Sequence, residues 1–122
     1  MPITTDERVA QWLCESIEDT IKRYQEALKS DTEWVANDET SLEKERQRDR
    51  APIPGVSSMT EFYEKSVSDG RARLNSEKEA IDSLLTLFKE ARELQDKVKR
   101  FWENQTKRFV EEAAQMEAKK ES

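Results

Sequence analysis

A chain of 122 residues suits one domain, but 34% hydrophobic against 39% charged residues falls short of the roughly 45 to 50% apolar content of a compact globule. A net charge of −6 disfavours a mainly electrostatic grip on nucleic acid or anionic lipid. The absence of His removes the commonest general base and the commonest metal ligand, and two glycines cannot build a phosphate-cradling loop, so the expectation is a non-enzyme without cofactor or metal.

The chain opens on MPITTDERVAQ, which lacks a charged, then apolar, then small-residue signal pattern. No apolar run approaches the roughly 18 residues of a membrane span. The lone Cys14 has no internal disulfide partner, and it lies on an apolar stripe where an inert buried thiol is the expected role. Together these features set cytoplasmic residence as the expectation.

In TTDE, Thr4 and Glu7 stand at capping-box spacing, and Asp6 with Glu7 suits the positive end of a helix dipole. A first helix is predicted over residues 5 to 49. Its stripe repeats every seven residues through Cys14, Ile21, Leu28, Val35 and Leu42. A companion row holds Ala10, Ile17 and Tyr24, and Leu13, Ala27 and Trp34 flank the other side. The companion row then passes to Asp31 and Asp38, which thins the apolar seam. Ser30 with Glu33 offers a place where the helix could stop and restart.

APIPGVSS, residues 51 to 58, is the punctuation of the chain. Pro52 and Pro54 lack amide donors and push Ala51 and Ile53 away from helical dihedrals, while Gly55 admits a positive φ. The turn therefore spans 50 to 57. Ser58 with Glu61 forms the next capping-box pattern, and a second helix is predicted over 58 to 119.

The main row of this helix runs Val67, Leu74, Ile81, Phe88, Gln95, Trp102, Phe109, Met116. Two more rows join it, Leu84, Ala91, Val98 and Leu87, Leu94, Phe101, widening the apolar arc enough to face two neighbours. Sustained three-and-four spacing indicates a long antiparallel helical hairpin of coiled-coil character, all-α. The alternative is a compact three- or four-helix bundle broken near Ser30 and Gly70, where Gly costs about 1 kcal/mol and Ser76 with Glu79 offers a restart.

The hairpin makes its own geometric prediction. At 1.5 Å per residue the first helix reaches roughly 67 Å and the second roughly 93 Å, so the second runs on alone from about residue 104. Charge agrees with the pairing. Residues 6 to 19 carry a net of −4 and residues 97 to 108 a net of +4, and an antiparallel turn sets these blocks side by side. The apolar residues left uncovered are the expected contact surface for a protein partner, either a second copy or a helical subunit: Trp12, Leu87, Leu94, Phe101, Trp102, Phe109, Val110 and Met116.

Two family patterns bear comparison. Trp34, Val35, Glu39 and Leu42 resemble the Trp-containing first helix of spectrin-type repeats over about a dozen residues, although the Pro-rich turn comes late for that pattern. The helical hairpins exported by type VII secretion systems turn at a Trp-x-Gly motif, which PIPGV lacks. Neither family is assigned. The functional expectation is a non-catalytic interaction protein, a subunit or adaptor of a larger assembly. Its rivals are a secreted or chaperone-bound hairpin effector and a lipid- or nucleic-acid-binding module using the basic and aromatic segment 97 to 109.

Overall fold

The computed structural model describes residues 3–55 and 57–121; Met1, Pro2, Ser122 and Val56 of the expected turn lie outside it. Two helices, α1 (Thr5–Arg50) and α2 (Thr60–Glu121), pack as an all-α hairpin without strands among the described residues. The Thr4 hydroxyl accepts the Glu7 amide at 3.2 Å, half of the expected capping box. Asp6 and Glu7 occupy the first turn and Arg48 and Arg50 the last, matching the helix dipole at both ends. After α1 the chain reverses through Pro52, Pro54 and Gly55, whose φ of +81° is the single positive φ among the described residues.

Both helices run unbroken through the expected break points, which removes the three- or four-helix alternative. Ser30 and Ser76 are helix-interior residues, not caps. Gly70 has a different purpose. It is buried, and a Cβ built there would lie 2.6 Å from Val35 Cγ2, so the missing side chain is what lets α1 approach α2 at this level. The local propensity cost of glycine is offset by a tighter helix–helix contact.

The start of α2 also departs from expectation. The pattern Ser58 to Glu61 does not cap it; α2 starts at Thr60, and its first turn is held from α1. Asp49 Oδ2 accepts hydrogen bonds from the Ser58 hydroxyl at 3.0 Å and from the Thr60 hydroxyl, while Ser58 Oγ accepts the Thr60 amide at 3.2 Å. Glu45 Oε2 accepts the Met59 amide at 3.4 Å, and its other oxygen pairs with Arg48 at 3.1 Å. Glu45 thus accepts the Met59 amide, and Asp49 fixes the Ser58 hydroxyl that accepts the Thr60 amide, where an α-helix leaves its N-terminal amides unpaired.

The chain forms two compact units. One is Thr20–Leu84, which contains the turn; the other joins Met1–Asp19 to Leu85–Ser122. The core of the first comprises Ile21, Val35 and Leu42 of α1 with Val67 and Ile81 of α2. Its antiparallel register is read from three contacts: Asp31 with Arg73 at 3.6 Å, Asp38 with Ser66 at 2.6 Å, and Glu45 with Met59. Asp31, Asp38 and Glu45 recur at sevens, so the companion row that seemed to fail in α1 continues as polar residues, each meeting α2. Trp34 and Tyr24, expected on the amphipathic face, are exposed. The second unit buries Ala10, Cys14 and Ile17 of α1 against Ala91 of α2, with Phe88, Val98 and Trp102 half-buried.

Candidate interaction surface

All eight residues expected at a contact surface fall in the unit formed by Met1–Asp19 and Leu85–Ser122. Trp12 is 65% exposed on α1. On α2, Leu87, Leu94 and Phe101 form one exposed row, seven residues apart, and lie beside Ala91, which is buried. The Phe101 ring meets the Trp102 ring edge to face, with centroids 5.3 Å apart. Trp102 is only half-buried as a residue, yet its indole Nε1 is covered and has no hydrogen-bond partner among the described residues. Gln105 and Thr106 beyond it are half-buried as well, and Thr106 is the last of the described residues of α2 with shelter.

Beyond Thr106 α2 continues without cover. Every residue from Lys107 to Lys120 is exposed, and Phe109, Val110 and Met116 are 65%, 64% and 67% exposed. The seven-residue row explains the arrangement: Trp102, Phe109 and Met116 continue the side of α2 that carries Phe88, but α1 starts at Thr5, and Ile3, Glu7 and Gln11 line a groove with Gln95 and Lys99 near its start. Glu7 of the acidic block and Lys99 of the basic block both line that groove.

Helix in this tail has no tertiary support. An isolated helix this short is marginal in water, and most helix stability in proteins comes from packing of an apolar face. Phe109, Val110 and Met116 on an unsupported helix are therefore the residues whose covering would stabilise it most. Lys107, Arg108, Glu111 and Glu112 surround Phe109 and Val110 with charge, the make-up of an apolar anchor inside a polar rim.

Besides Tyr24, sequence reasoning missed two exposed aromatic residues in the other unit. Trp34 is 65% exposed, and Phe62 is exposed while meeting Tyr63 edge to face at 5.4 Å. The signal was present for Trp34: it is adjacent to Val35, which occupies the seam, and neighbours in a helix point about 100° apart. Phe62 precedes Tyr63, which takes the seam position seven residues before Gly70.

Among the described residues no cluster of three or more His, Cys, Asp or Glu side chains is arranged to hold a metal. No helix there is long and apolar enough to cross a membrane. A shallow groove of about 300 Å³ in the turn-bearing unit, lined by Leu42, Arg46, Glu64, Val67, Ser68 and Arg71, is bridged by Arg46 and Glu64 at 3.8 Å. Comparison with protein-family models, curated proteins and solved structures gives no match.

Proposed function

We propose that this chain is a non-catalytic helical interaction protein, which dimerises or docks as a subunit or adaptor of a larger assembly through the uncovered face of α2. The observation that carries the reading is the exposure of every residue from Lys107 to Lys120 on a helix bearing Phe109, Val110 and Met116. Soluble monomers rarely display large contiguous apolar surface, and an amphipathic helix finds its cover by laying that face on another helix. Trp12, Leu87, Leu94 and Phe101 extend the contact surface within the same unit. The lone Cys14 and the apolar burial of its thiol favour a reducing, cytoplasmic setting.

Truncation after Asn104 tests this reading. Mass in solution by light scattering and capture of partners from the native source are compared for the full and shortened chains, with circular dichroism confirming that the hairpin remains folded. The expected result is loss of self-association or of a specific partner on truncation. A full chain that neither associates nor captures anything, or a shortened chain that retains whatever the full one bound, contradicts it. Binding to vesicles or oligonucleotides with steep salt dependence would instead favour the basic segment 97 to 109 as a lipid or nucleic-acid site.

A further inference from the structure

We draw no further inference here: the strongest candidate, the exposed apolar face of α2 that carries Phe109, Val110 and Met116, belongs to the surface already described, and nothing in the structure shows what covers it.

Discussion

Gly70 shows how one residue can be read two ways. In sequence, glycine within a helix signals weakness, because its backbone freedom costs about 1 kcal/mol relative to Ala. In the fold it is a contact, since a Cβ would sit 2.6 Å from Val35 Cγ2, and Val is stiff about χ1. Gly70→Ala should therefore gain propensity but lose more to overpacking, a net destabilisation of about 1 kcal/mol in urea unfolding. Combined with Val35→Ala, the same change should become stabilising. If Gly70→Ala stabilises the native chain, the close approach is not as described. Glu77 makes a second residue-level test. Hydrogen bonding with Asp31 favours its protonated form and pushes its pKa above the ordinary 4.5, burial and the Asp31 charge add to this, and Arg73 opposes it. Its Oε2 is covered and has no donor facing it among the described residues, as befits an oxygen that bonds to Asp31 only when one of the two carboxyls holds a proton. The folded chain thus binds a proton more tightly than the unfolded one, and stability falls as pH rises from about 4.5 through the raised value. Glu77→Gln should remove that fall: the variant gains over the native chain at neutral pH, and the gain vanishes near pH 4. Equal pH profiles for the two proteins would contradict the Asp31 pairing.

At the scale of the element, the rows of seven and the punctuation at PIPG were legible because helix period and proline chemistry act locally. The Thr4 cap was legible for the same reason. What escaped was everything that α1 does to α2. No local pattern shows that Asp49 and Glu45, late in one helix, hold the first turn of the next, since the turn alone brings them together. Nor did the change from Tyr24 to Asp31 and Asp38 reveal that Arg73 and Ser66 would meet them. Such polar positions on a coiled-coil seam fix register at some cost in stability. Glu45→Ala follows from this level. Glu45 is buried, so its removal leaves the Met59 amide without its acceptor and should destabilise the hairpin by about 1 kcal/mol. Amide exchange at residues 59 to 63 should accelerate in the same variant, and unchanged exchange there would mean that the cap is dispensable. Asp49 adds a pH dependence of opposite sense to Glu77. Hydrogen bonds from Thr60 first, and then from Ser58, lower its pKa below 3.8, so its contribution is present above that value and lost as pH falls through the lowered one.

For the molecule as a whole, the length difference between two predicted helices already pointed to a face that nothing in the chain covers, and α1 of 46 residues beside α2 of 62 bears this out. The seven-residue spacing made Phe109 and Met116 legible, and the seam position of Val35 signalled its neighbour Trp34, whereas the exposure of Phe62 was not legible, because it depends on which flank of the helix the partner helix covers. The proposed role rests on a simple imbalance: α2 carries Phe109, Val110 and Met116, all exposed, where no packing supports the helix. Hydrogen exchange over residues 107 to 120, followed as protein concentration rises, tests that account most directly. Protection there should be slight in dilute solution and grow with concentration, while residues 20 to 50 stay equally protected throughout. Protection of the tail that is strong and independent of concentration would mean that the chain covers this face itself, and the proposed role in association would fall.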